Sequence, residues 1–255
     1  MDTLTLILLV GAVIFCTFTL EGISGFGSTV LALPFVSMLI GVENAVPLLS
    51  SLSIMLALFI LCRSWRKVNF KEYGFIVLHV GLGVPIGLTL MDFLPKTWLL
   101  GLLVLFMFFT GIKGLWSLRK RAETVPEITP GKSWFDRLVL FGGGIIQGAF
   151  SSGGPLIIIY AAGRLPEKSV FRATLAALWL TTNTAMVTKW TLVNKVWTPE
   201  LLETLFAALP FIGGGMVLGN FLHNKVNQHH FKVLIYSVLL AAGCMLTFNL
   251  LKTTV

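Results

Sequence analysis

Two short stretches combine glycines with side chains that hydrogen-bond, and they are the part of the sequence best suited to binding. The first, EGISGFGSTV, covers residues 21–30, and the second, QGAFSSGGP, covers residues 147–155. Glycine permits tight turns and leaves backbone N–H groups open to a ligand. A helix that starts after such a turn presents free N–H donors and the positive end of its dipole. The chemistry expected of both stretches is therefore recognition of a small, oxygen-rich anion.

The candidate contacts for this anion lie in or near the two stretches. They are Ser24, Gly25, Gly27, Ser28, Gln147, Ser151, Ser152, Gly153, Gly154, Tyr160 and Asn183. Packing of two tight turns would also explain the glycines, and hydrogen bonding between helices would explain Asn183. The presence of a similar cluster in each half favours the binding site. A site of this kind needs no metal and no cofactor.

Two charged residues carry separate hypotheses. Glu21 lies where a membrane helix should still be running, and a charge at a helix centre costs about 2.5–3.5 kcal/mol on insertion scales. We predict that Glu21 carries a coupling proton or gates release of the anion; the alternative is a neutral acid that hydrogen-bonds a turn. Arg172 is predicted to line a cytoplasmic vestibule that attracts anions, with orientation or lipid-headgroup contact as its alternative.

The composition places these residues in a membrane. The chain has 255 residues, and 12% charged against 56% hydrophobic residues is too little charge for the surface of a soluble domain. The net charge of +8 lies in short loops between apolar runs, which indicates orientation in a lipid bilayer and argues against nucleic acid as a partner. The first apolar stretch has no basic region before it, so we expect it to be retained.

Ten apolar segments emerge when the chain is compared with the roughly 20 residues that a membrane helix needs. They are residues 4–20, 29–40, 45–62, 73–91 and 97–116, then 138–150, 155–162, 171–190, 201–222 and 231–251. We divide the single membrane domain into an N-terminal repeat, residues 1–116, a cytoplasmic linker, residues 117–137, and a C-terminal repeat, residues 138–255.

The two halves share a pattern and differ in direction. The fourth segment of each half has small residues at GxxxG spacing, Gly83 and Gly87 in one and Gly215 and Gly219 in the other, which lets helices approach closely. Basic residues concentrate in alternate loops, and the positive-inside rule then places the linker in the cytoplasm and both termini outside. Equivalent segments therefore run in opposite directions.

The predicted fold class is an all-α integral membrane protein of ten hydrophobic segments arranged as two inverted five-segment repeats. The first two segments of each repeat are expected to be broken or re-entrant half-helices. This architecture is typical of secondary transporters, which bind substrate between the repeats. Alternating access would then move one repeat against the other.

The motifs also resemble a known family. GFGSTVLALPF, GGGIIQGAFSSGGPLIIIY and VFRAT are similar to motifs of the TauE/SafE sulfite exporter family, also called the toluene sulfonate uptake permease family. The resemblance covers nearly the whole chain. It implies a bacterial-type inner-membrane carrier of sulfur-containing anions such as sulfite, sulfoacetate and other organosulfonates. By matched position it adds Gly148, Pro155 and Thr174 to the recurrent motif residues.

The functional prediction is a secondary transporter of such an anion, with protons as one option for the coupling ion. An anion channel or a carrier of a small carboxylate on the same scaffold remains the alternative. An enzyme is disfavoured, because HExxH and GxSxG are absent and no paired Asp/His constellation lies within an apolar run. The absence of a P-loop motif argues against pumping driven by ATP. The oligomeric state and the direction of transport are left open.

Overall fold

The computed structural model describes residues 3–120, 133–165 and 167–223, together with part of residues 225–250. Its helices in chain order are α1 (Thr3–Ser24), α2 (Ser28–Ile40), α3 (Val42–Ser64), α4 (Phe70–Phe93), α5 (Lys96–Lys120), α6 (Trp134–Phe150), α7 (Gly154–Arg164), α8 (Lys168–Lys189) and α9 (Pro199–Leu222). The described part of the chain contains no β-strand. The chain is thus all-helical, as predicted.

Each of the first nine apolar segments corresponds to one helix. Polar caps extend several helices past their apolar runs: Asn69 accepts from the backbone N–H of Glu72 at 3.1 Å, and Ser133 forms a reciprocal capping box with Asp136. The tenth segment, residues 231–251, and the predicted linker, residues 117–137, fall partly outside the described residues. The described members of residues 233–250 are helical.

Five of the described helices are long and apolar enough to cross a membrane, namely α1, α3, α4, α5 and α9. Helices α2 and α7 have 13 and 11 residues and are short, as expected. Helix α1 differs from the expectation of a half-helix, because it continues through 22 residues to Ser24 instead of ending at Leu20. The protein is a multi-pass membrane protein.

The tightest packing joins helices from different halves of the chain. Helix α4 packs along α6, α1 packs along α9, and α3 packs along α8. Where α4 meets α6, the Cα of Gly87 lies 3.0 Å from the position that a Cβ on Gly148 would occupy. Where α1 meets α9, the Cα of Gly22 lies 2.9 Å from the position of a Cβ on Gly219. The close approach predicted from the GxxxG spacing is confirmed.

Candidate functional site

The first predicted break separates α1 from α2 at residues 25–27. Gly25 adopts a left-handed conformation, with φ of 86°, and its N–H donates to the carbonyl of Glu21 at 2.6 Å. Glycine tolerates this conformation because it has no Cβ. Gly27, with φ of 105°, then precedes α2 without a side-chain cap. The Ser24 hydroxyl donates to the Phe26 carbonyl at 2.7 Å and closes the turn.

Glu21 lies in the last turn of α1, and its carboxylate reaches the start of α2. Its Oε2 accepts from the backbone N–H of Ser28 at 2.9 Å and from the Ser28 hydroxyl. The side chain is buried. A carboxylate at this place is stabilised by the positive end of the α2 dipole. Glu21 therefore holds the donors at the α2 N-terminus that a bound anion would use.

The second predicted break separates α6 from α7 at residues 151–153. Ser151 takes the left-handed conformation here, with φ of 52°, and its N–H donates to the Gln147 carbonyl at 2.7 Å. The Gln147 side-chain Oε1 accepts from the Gly153 N–H at 3.0 Å. Gln147 thus does at the start of α7 what Glu21 does at the start of α2, with a neutral amide in place of an acid.

A polar network ties the second break to α8. The Gln147 Nε2 donates to Asn183 Oδ1 at 2.8 Å, and the Ser151 hydroxyl donates to the same oxygen at 3.0 Å. All three side chains are buried. Because an unpaired buried polar group costs about 1–3 kcal/mol, the network fixes the orientation of all three.

The two breaks line one cavity. Its lining residues are Glu21, Gly27, Thr29, Val30, Ser53, Gln147, Ser151, Ser152, Gly154, Trp179 and Asn183. The volume is about 20 Å³, room for about one water molecule. An oxyanion or sulfonate is several times larger than water. The cavity is therefore too small for such an anion in this structure, and the helices must separate to admit one.

The remaining predicted residues lie away from the cavity lining. Ser24, Gly25, Ser28 and Gly153 build the two turns through the bonds given above. The Tyr160 hydroxyl instead donates to Glu72 Oε2 at 2.5 Å, and its ring stacks on Phe75 with centroids 5.5 Å apart. Arg172 is buried against the outside of the first turn, where its side-chain stem packs on Gly25.

Four cavity residues escaped the sequence prediction. They are Thr29, Val30, Ser53 and Trp179. The hydroxyls of Thr29 and Ser53 are 3.3 Å apart, and the Trp179 indole N–H donates to the Gly25 carbonyl at 3.1 Å. Trp179 precedes Asn183 by one helical turn on α8, so its spacing from a predicted contact could have identified it.

Comparison with known proteins identifies the family of the chain. The sequence pattern described as sulfite exporter TauE/SafE matches residues 10–246, a range that contains both breaks. The chain belongs to the TauE/SafE family. It is similar to the probable inner membrane transporter protein TsaS of Comamonas testosteroni, with 26% identity over 187 residues, 73% of this chain and 76% of TsaS. No solved structure matches the chain.

Membership of the TauE/SafE family identifies the protein as a membrane transporter and not an enzyme. The family assignment confirms the resemblance drawn from the motifs around the two breaks. Its substrate is a small molecule, and its other partner is membrane lipid. The cavity between α1, α2, α6 and α8 is the candidate place for that substrate.

Proposed function

We propose that this TauE/SafE transporter is a secondary carrier that moves a small sulfur-containing anion across the inner membrane by alternating access. Sulfite, sulfoacetate and other organosulfonates are the substrate class. The observation that carries the proposal is the small cavity to which both breaks contribute. Hydroxyl and amide groups line it together with the Glu21 carboxyl group and the apolar Val30 and Trp179, and both short helices begin there. The hydroxyl and amide donors suit an anion's oxygen atoms, and a cavity too small for the anion suits a carrier better than an open pore.

The packing pattern supports an inverted repeat. In the two halves, α1 corresponds to α6 and α9 corresponds to α4, so the α1–α9 pair is equivalent to the α6–α4 pair. The contact of Gly22 with Gly219 is likewise equivalent to that of Gly148 with Gly87. Glu21 also corresponds to Gln147, and each of them accepts a hydrogen bond from the start of the next helix. We infer the orientation of this repeat from the basic loops, with the linker in the cytoplasm and both termini outside.

The experiment that tests this function is uptake into proteoliposomes. Purified protein is supplied with labelled sulfite, sulfoacetate or a small carboxylate as control, each with and without a pH gradient. We expect saturable uptake of at least one sulfur-containing anion and little uptake of the carboxylate. Transport of the carboxylate alone would contradict the substrate class. Large single-channel currents in a planar bilayer would instead identify a channel.

Glu21 provides a separate prediction about coupling. The Glu21→Gln variant keeps an oxygen that can accept from Ser28 but removes the titratable group, so the variant resembles the Gln147 side of the site. If Glu21 carries the coupling proton, uptake by the variant should lose its response to an imposed pH gradient. The measurement is initial uptake over a range of internal and external pH.

The matched control for this experiment is Glu203→Gln, which removes the same charge from an exposed position on α9. Its uptake should keep the wild-type response to pH. Normal uptake with an unchanged pH response in Glu21→Gln would eliminate the proton role and leave Glu21 as a hydrogen-bonding group of the turn.

A further inference from the structure

Arg172, near the start of α8, has a buried guanidinium group with hydrogen-bond donors that lack a partner among the described residues. It is 6% exposed, and its Nη1 donates to Asn220 Oδ1 at 3.2 Å. Its Nε and Nη2 are buried without a hydrogen-bond partner among the described residues. It forms no ion pair with any described residue. A buried charge with unmet donors is costly unless a ligand satisfies it.

The two unpaired nitrogens form one edge of the guanidinium. Two parallel N–H groups on such an edge match two oxygens of a carboxylate, sulfonate or phosphate. Arginine binds anions in this bidentate way because its donors form a rigid planar fork. Since Asn220 occupies Nη1, the unpaired groups are the pair with the spacing that an oxyanion requires.

Further positive charge lies near Arg172. Arg63, at the end of α3, and Lys168, one turn before Arg172, both interact electrostatically with it. Lys67 and Arg172 both act on His223, which follows α9. We call Arg63, Lys67, Lys168 and Arg172 the basic cluster. Like charges this close repel one another, so an anion between them would relieve the repulsion.

The basic cluster adjoins the first break. A Cβ on Gly25 would lie 3.0 Å from the Arg172 Cα, and His223 Nδ1 is 2.6 Å from the Ile23 carbonyl oxygen. Glu21 also interacts electrostatically with Arg172, although its carboxylate is already hydrogen-bonded to Ser28. An anion on Arg172 would thus be separated from the cavity by one turn of backbone.

We propose that the Nε–Nη2 edge of Arg172, within the basic cluster, is a second oxyanion site that holds the transported anion next to the central cavity. That the occupant is the transported anion rests on the proposed function, while the oxyanion chemistry follows from the geometry of the guanidinium. By the positive-inside inference the site faces the cytoplasm. It is a staging position from which an anion enters or leaves the cavity when the first turn moves.

The test compares binding of sulfate, as a generic oxyanion probe, by wild type and Arg172→Lys in lipid-free detergent. Lysine keeps the charge but lacks the paired donors. We expect the variant to bind sulfate at the cluster about tenfold more weakly, which is the difference between bidentate and single-donor recognition. Isothermal calorimetry measures affinity and stoichiometry, and thermal unfolding without sulfate shows whether the variant is folded.

Arg63→Gln supplies a second variant at an exposed position, in case Arg172→Lys does not fold. It should weaken sulfate binding about threefold through the loss of one neighbouring charge. Arg66→Gln is its control, because Arg66 is exposed nearby in the chain, is not among the charged groups that act on Arg172, and has its guanidinium over the Trp65 ring. This control should bind sulfate as wild type does.

Equal sulfate binding by wild type and Arg172→Lys would overturn the second site. Tighter binding of phosphatidylglycerol by wild type than by Arg172→Lys, with no difference in sulfate binding, would also overturn it. The Arg172 edge would then hold a lipid headgroup. Failure of the proposed function would be seen elsewhere, as absence of uptake of the sulfur-containing anions by wild type. The two ideas can therefore fail separately.

Discussion

Asn183→Leu is expected to remove nearly all transport while the helical fold remains. Leucine has a similar volume, but it leaves the Gln147 Nε2 and the Ser151 hydroxyl without the acceptor they share at 2.8 and 3.0 Å. Two buried donors left unpaired cost about 3 kcal/mol, so the Gln147 and Ser151 side chains turn towards other partners and lose the arrangement that lines the cavity. We expect the affinity for the anion to fall about tenfold or more, which corresponds to about 1.4 kcal/mol. The measurement is the half-saturation concentration for uptake, normalised to the amount of folded protein.

The neighbouring residue supplies the control for Asn183. Thr182 is also buried, and its hydroxyl donates at 2.9 Å to the Leu178 carbonyl within α8. Thr182→Val should therefore transport nearly as well as wild type. If Asn183→Leu is less stable but each folded molecule transports at the wild-type rate, Asn183 only joins helices and the cavity assignment is wrong.

Gly87→Ala is expected to destabilise the protein more than alanine at any other glycine of α4. A Cβ at this position would collide with the Ile145 carbonyl and lie 2.6 Å from the Ala149 nitrogen and 2.8 Å from the Gly148 Cα. Backbone atoms cannot rotate away as side chains do, so the two helices must separate. Overpacking of this kind costs about 1–3 kcal/mol, and the backbone contact places Gly87 at the upper end. Thermal unfolding in detergent measures the effect.

The same helix provides a control substitution that should not lower the stability of the protein. Gly81 is exposed on α4, and a Cβ there would meet nothing within 4 Å. Gly81→Ala should therefore leave stability unchanged or raise it by about 0.5–1 kcal/mol, because alanine loses less backbone entropy in a helix. Equal stability of the two variants would show that α4 and α6 do not meet as closely as the structure has them.

Hydropathy and glycine spacing predicted much of the fold. Segment lengths in a membrane protein follow bilayer thickness, so apolar runs locate helices within a few residues. Gly25 and Gly27 marked the first break because few other residues tolerate their left-handed conformation. Gly153 marked the second break because a Cβ there would collide with the Gly143 carbonyl oxygen. The helix ends were less predictable: α1 passes Leu20 because Gly25, and not Glu21, has the left-handed conformation that ends it.

The site was predictable only where polar residues cluster along the chain. Ser53 is a single hydroxyl in an apolar run, and nothing in its local sequence pairs it with Thr29 on α2. Tyr160 was assigned to the anion because it follows the second break. Its partner Glu72 lies 88 residues earlier, at the start of α4. Contacts of this kind depend on helix packing and leave no local pattern.

The glycine contacts of α1 with α9 and α4 with α6 determine which parts of the transporter can move independently. Gly22 and Gly148, each next to the polar side chain of its break, are held against a helix from the opposite half of the chain. Tightly packed backbones shift between discrete arrangements and do not slide freely. In the proposed transport cycle, the units that move as rigid bodies would then be α1 with α9 and α6 with α4. Each unit combines helices from both halves of the chain. The boundary between the moving parts would then lie within each repeat, in contrast to the expectation from the sequence that one whole repeat moves against the other.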